Sequence, residues 1–398
     1  MSAETQQAYK LMAIAISLAV DYGITRRPGK GRHQRLNLEN VRDVPQGLAV
    51  VDMEFWSLEA RRAYLGCYHI ATWYSIVSRK VSPMPYNDYL YTCAKSLAAI
   101  KDVPSDVDIL SYLEITHEAE KIYTLFNYAE THRAQYMDDQ QIQIYLDAFS
   151  AKLDDWRSRL SPSMKNDPCH RLWPWLFEAF MREVSLSGMS RSAETSVYRI
   201  RVVVAALEST KTFFDTFLAI PEDQMPSLPT THWALLGYLI LLAAAMSMST
   251  QTAGWNINMA RSIIKLDAYI DAVSVRARRL CSAVASSRTA NNWYRTFLTR
   301  WDAVKASYFA AVSQTQTSTS VLEQAPAHGT TPAPTPAADV QLTPYQLNTE
   351  PPFSAELQPG MPAAPPANPF VGLSNGIELF EFAENLGSWM VADFDFLW

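Results

Sequence analysis

This chain predicts an all-α body that gives way to a Pro/Thr/Gln/Ala-rich linker and an acidic-aromatic tail. Three observations predict it. Apolar residues recur every three or four positions through residues 1–313, which is the period of one helix face. No segment there alternates apolar and polar residues as a half-buried strand does. From residue 314 to 370 the composition collapses into Gln, Thr, Pro and Ala, with Pro326, Pro332, Pro334, Pro336, Pro351, Pro352, Pro365 and Pro366. Such a segment buries too little surface to offset chain entropy, and is expected to be a disordered spacer.

The elements follow in order. Leu11, Ala15, Leu18 and Tyr22 define one helix face, and Gly23 is its stop. A basic loop follows with Arg26, Arg27, Lys30, Arg32 and Arg35; it reads as a solvated loop, with phosphate or import-factor binding as the alternative. A helix is predicted over 58–79, ended by Pro83 and Pro85. Another opens at Ser105, where Ser105 and Asp108 have capping-box spacing, and runs to about 128. Ile142, Leu146, Phe149, Leu153, Trp156 and Leu160 form the cleanest seam in the chain, with Asp147, Lys152, Asp154, Asp155 and Arg157 off it. That seam reads as an intramolecular core helix, with a dimerising coiled coil as the alternative. Further helices are expected at 171–187, 192–219, 231–250, 257–286 and 290–312. The segment 233–248 is almost wholly apolar. It is shorter than the ~20 residues a bilayer needs, and is read as a buried central helix.

Charge and motifs exclude several classes. All 34 Lys and Arg lie at or before Lys305, whereas the region from 314 onward holds nine acids and no base. Removing those nine from the 40 acids leaves 31 in the body, so the body carries +3 and the tail −9. The body is not basic enough to mark a nucleic-acid footprint. Cys67, Cys93, Cys169 and Cys281 are scattered, without a Cys-x-x-Cys pair, so no zinc module is legible. No two of the seven histidines sit at metal-ligand spacing, and neither a Gly-x-Gly-x-x-Gly nor a Walker A pattern occurs. Asp167-Pro168-Cys169-His170 places a thiol beside an imidazole, but sequence adjacency does not make a nucleophile–base pair; a surface turn is the expectation. The chain is therefore expected not to be an enzyme, with no catalytic, cofactor-binding or metal-binding residue.

Several segments, in order, resemble one family. Residues 12–26 end in an Asp21-x-Gly23-Ile24 turn. Residues 59–80 form an arginine-led helix around Gly66-Cys67-Tyr68. Residues 198–229 run through Phe217-Leu218-Ala219-Ile220-Pro221 to Leu228-Pro229. Residues 232–261 join an apolar helix to Gly254-Trp255 and Arg261. Together they resemble the regulatory region of fungal binuclear zinc-cluster transcription factors, over about residues 8–287. The resemblance implies a helical regulatory domain over 1–313, a linker over 314–370 and a transactivation tail over 371–398. It implies a nuclear transcription regulator or co-regulator that works by protein–protein contacts, with secondary-metabolite gene clusters as its setting. The family's zinc cluster and basic linker have no counterpart here. No DNA contact is therefore expected from this chain alone, and zinc enters only with an upstream zinc-cluster exon. The two explanations for that difference are a gene model that begins at an internal methionine and a truncated member that acts on partners.

The expected partners are the transcription machinery or another transcription factor; no membrane is implied, and a homodimer is the expected assembly if the coiled-coil alternative holds. The candidate contact residues lie in the tail. Leu379, Phe382, Leu386 and Trp389 form one helical row, and Phe394, Phe396 and Trp398 a second cluster, both among acids. Such segments stay soluble until a grooved, basic partner offers burial. The alternative is docking of the tail on its own body. Arg61 and Arg62 form a second candidate set, either pinning the helix within the core or facing a ligand cavity, as helical bundles often contain one. The competing function class is a non-transcriptional helical scaffold or ligand-binding module.

Overall fold

The computed structural model describes residues 3–28, 56–128, 137–186, 196–248, 254–283 and scattered positions within 295–313. The linker and the tail, with the contact residues Leu379, Phe382, Leu386, Trp389, Phe394, Phe396 and Trp398, lie outside the described residues, as does most of the basic loop.

Among the described residues the fold is all-α, without strands. The helices are α1 (Ala3–Asp21), α2 (Leu58–Ser78), α3 (Asp88–Ile100), α4 (Ile109–Leu125), α5 (Asp139–Arg159), α6 (Pro162–Asn166), α7 (Pro168–Arg182), α8 (Val197–Leu218), α9 (Thr230–Met248), α10 (Ile257–Ile264) and α11 (Leu266–Ala283). The described positions within 295–313 are helical too.

Local chemistry sets many of the ends. The Ser57 hydroxyl accepts from Ala60 N and opens α2, and Asn87 accepts from Tyr89 N to open α3. Asp138 and Gln141 form a reciprocal capping box at α5. Helix α2 ends at Arg79, in the left-handed region at φ 55°, before the prolines are reached. The opening of α4 differs from expectation. Ser105 is not the cap; residues 104–107 form a 3-10 turn, and the buried carboxylate of Asp106 accepts from Val103 N. Helix α3 was not foreseen. The helix expected over 257–286 is broken at Lys265, also left-handed at φ 40°.

Packing follows two adjoining apolar clusters. One gathers α1, the first half of α2, α3 and the start of α4 around Tyr64, Tyr68, Leu90 and Leu97. The other gathers the remaining helices around Trp173, Phe177, Phe213, Leu239 and Trp301. Helices α2 and α4 contribute to both. The α5 seam, all six residues from Ile142 to Leu160, is buried within this second cluster. It is thus an intramolecular core helix, and the coiled-coil alternative loses its exposed seam.

Helix α9 packs against α7, α8, α10 and α11, which explains why it is apolar all round. No described helix is long and apolar enough to cross a membrane. Its last carbonyls are capped from beyond the helix. The Trp255 indole donates to Met246 O at 2.8 Å, and Arg261 Nε donates to Ser247 O at 3.1 Å. The Gly254-Trp255 and Arg261 pattern seen in sequence therefore closes this helix.

Candidate functional site

Where the two apolar clusters meet, α2, α4, α7 and the start of α9 line an open-mouthed cavity of about 510 Å³. Helix α2 contributes Leu65, Gly66, Tyr68 and His69, from little more than one turn. Helix α4 contributes Tyr112, Leu113 and Thr116 from one face. Trp173 of α7 forms the floor, and His232, at the start of α9, closes one side.

The polar groups are few and placed with care by their neighbours. His69 Nδ1 lies 2.9 Å from the Thr116 hydroxyl, and its ring faces the edge of Trp173. Trp173 also contacts Trp73, at 4.8 Å between ring centroids, and His232, at 5.4 Å. Trp173 Nε1 is buried without a hydrogen-bond partner, and the buried His232 ring has the Cys169 backbone as its polar neighbour. Behind Tyr112, His170 Nδ1 lies 2.6 Å from Asp167. Asp167 caps the N-terminus of α7, so Asp167-Pro-Cys169-His170 is a helix start with a buried imidazole and not a surface turn.

Both cavity imidazoles are held neutral. Burial lowers the pKa of His69 to about 4, aided by the nearby His232, and burial lowers that of His232 to about 4. The Tyr112 hydroxyl is shifted up, also by burial.

Arg62 stands at the rim. Its guanidinium grips Asp106 through two bonds of 2.9 and 2.8 Å and reaches Asp102 at 2.7 Å. Those bonds hold the Asp106 carboxyl below the usual carboxylate range. Arg62 thus ties α2 to the turn before α4 while its stem lines the cavity. Arg61 points the other way, donating to Trp56 O at 2.7 Å and to Ser96 Oγ at 3.0 Å, which links α2 to α3. Arg61 and Arg62 stand out in the sequence, whereas His69, Trp173 and His232 do not. These come from helices far apart in sequence, and no local signal joins them.

Among the described residues no group of three His, Cys, Asp or Glu side chains could hold a metal. The cavity's neutral imidazoles, hydroxyls and indole suit binding. Its class is that of an all-α domain with a small-molecule-sized pocket open on one side.

No protein-family model and no solved structure matches the chain. Transcription factor himD of Aspergillus japonicus is similar to it, with 22% identity over 242 residues. The match covers 59% of this chain and 38% of that protein, so the chain spans well under half the relative's length. This distant likeness supports a relationship to fungal transcription factors.

Proposed function

We propose that this chain is a fungal transcription regulator that acts by protein–protein contacts, with the helical body as its regulatory domain. The observation that carries the reading is the likeness to a transcription factor over 59% of the chain. The tail supports the contact role: Leu379, Phe382, Leu386 and Trp389, then Phe394, Phe396 and Trp398, combine bulky anchors with acids and lack any base. The partner class is a basic, grooved surface of the transcription machinery or of another transcription factor, in the nucleus. A secondary-metabolite gene cluster is the proposed setting, after the family resemblance of the sequence segments. The reading assigns no catalysis to the chain.

Fusing residues 371–398 to a heterologous DNA-binding domain tests the tail. The fusion is expected to activate a reporter, and replacing Phe394, Phe396 and Trp398 with Ala is expected to remove most of that activation. Equal output from both fusions contradicts the contact role.

A further inference from the structure

We propose that the cavity between α2, α4, α7 and α9 is the binding site for a neutral, largely apolar small molecule. The molecule has a ring system that fills the apolar walls and a single polar group on the side of His69.

The volume sets the size. About 510 Å³ falls within the ~300–1,000 Å³ of small-molecule sites, and is far more than a water needs.

The lining sets the chemistry. Leu65, Ile70, Ile109, Leu113 and Trp173 make the walls largely apolar, and the half-buried imidazole of His69 is a polar group among them. A neutral imidazole donates at one nitrogen and accepts at the other. A mostly apolar ligand with one hydroxyl, amine or amide suits these walls.

Charge excludes ions. The lining cation, Arg62, is already held by Asp102 and Asp106. Both imidazoles are neutral and the lining holds no carboxylate, so neither an anion nor a cation finds a counter-charge there to offset its desolvation.

Gly66 is the third observation. It lies inside α2, where glycine is worth about 0.5–1 kcal/mol less than alanine, at a position that does not use its conformational freedom. A Cβ built there meets nothing within 4 Å, because it projects into the cavity. The helix forgoes that stability and keeps the space open.

The proposal concerns binding alone and does not rest on the transcriptional reading. It is tested on the full chain with two fluorescent probes that share one skeleton. N-phenyl-1-naphthylamine is neutral, with two ring systems and one N–H; 1-anilinonaphthalene-8-sulfonate adds a sulfonate. The neutral probe is expected to bind saturably at one site with blue-shifted emission, and at least about tenfold more tightly than the sulfonate, a gap of about 1.4 kcal/mol. Gly66→Leu fills the cavity and is expected to weaken the neutral probe at least tenfold while helicity and melting temperature hold; Gly66→Ala is expected to melt higher. Ile70→Trp, at the cavity's exposed rim, is the second plug and is expected to weaken the probe without a core change. Absence of saturable binding overturns the proposal. So does binding that neither plug alters, which would place the probe elsewhere. Equal affinity for the sulfonate overturns the neutral-ligand assignment.

Discussion

Arg79 and Glu183, 104 residues apart in sequence, form an ion pair in the interior, with both side chains 4% exposed. Burial disfavours the charge on Arg79, yet Glu183 more than restores it, and Tyr238 donates a hydrogen bond to the same carboxylate. The guanidinium lies 4.9 Å from the centre of the Tyr128 ring. The pair joins the end of α2 to the end of α7 within the second apolar cluster. Removing one partner leaves a buried charge uncompensated. Glu183→Ala is expected to cost about 3–5 kcal/mol in urea unfolding, while the double change Arg79→Met with Glu183→Leu recovers most of that loss.

Arg62 and Asp106 are expected to act as one unit. Arg62→Ala and Asp106→Asn each lower the melting temperature, and the double variant melts close to the worse single one. Additive losses would show that the bidentate pairing contributes nothing of its own. The Asp106 carboxyl titrates below its usual range in the folded state, so its contribution is present near neutral pH and is lost as pH falls through and below about 3.8.

The cavity histidines act in a different window. His232 is neutral in the fold down to about pH 4, but takes up a proton near 6.5 when unfolded. Its folded pKa is depressed, so the unfolded state binds the extra proton. Stability is therefore full above pH 6.5 and falls as pH drops from 6.5 toward 4. At pH 5 the loss from His232 is about 2 kcal/mol. The groups around it are His69 of α2 and Asp167, Cys169 and His170 at the start of α7. His69 faces the cavity, so water there tempers its own share. Replacing His232 with Phe is expected to flatten the stability profile between pH 7 and 5; an unchanged slope contradicts the assignment.

The α5 seam is expected to behave as core. Leu153 is 2% exposed, so Leu153→Ala costs about 2–5 kcal/mol. Trp156 also donates to Ser111 O at 3.0 Å, so Trp156→Phe loses a buried bond as well as volume. A loss under about 0.5 kcal/mol for Leu153→Ala would mean the seam is exposed in solution.

The legible parts of the fold were those with long periodic faces. The α5 seam and the arginine-led α2 carried their burial pattern in local spacing, and α9 carried its own in an unbroken apolar run. Helix α3 carried a signal too, Asn87 before Leu90, Cys93, Ala94 and Leu97, but it lies between prolines and a turn. The break at Lys265 had no glycine or proline to announce it, and tertiary packing of α10 on α8 and α9 selects it. His170 read as part of a turn because its neighbours are Asp, Pro and Cys; their capping role hid a buried ring. The cavity was not legible beyond Arg62, since its walls come from residues 62–70, 109–116, 173 and 229–232.

The central claim is that the chain regulates transcription through contacts its own residues make. The most direct measurement tethers the full chain to a promoter through a heterologous DNA-binding domain and reads transcript output. Output is expected to rise several-fold, and to fall back when Phe394, Phe396 and Trp398 are replaced with Ala. Output equal to that of the DNA-binding domain alone would contradict the claim.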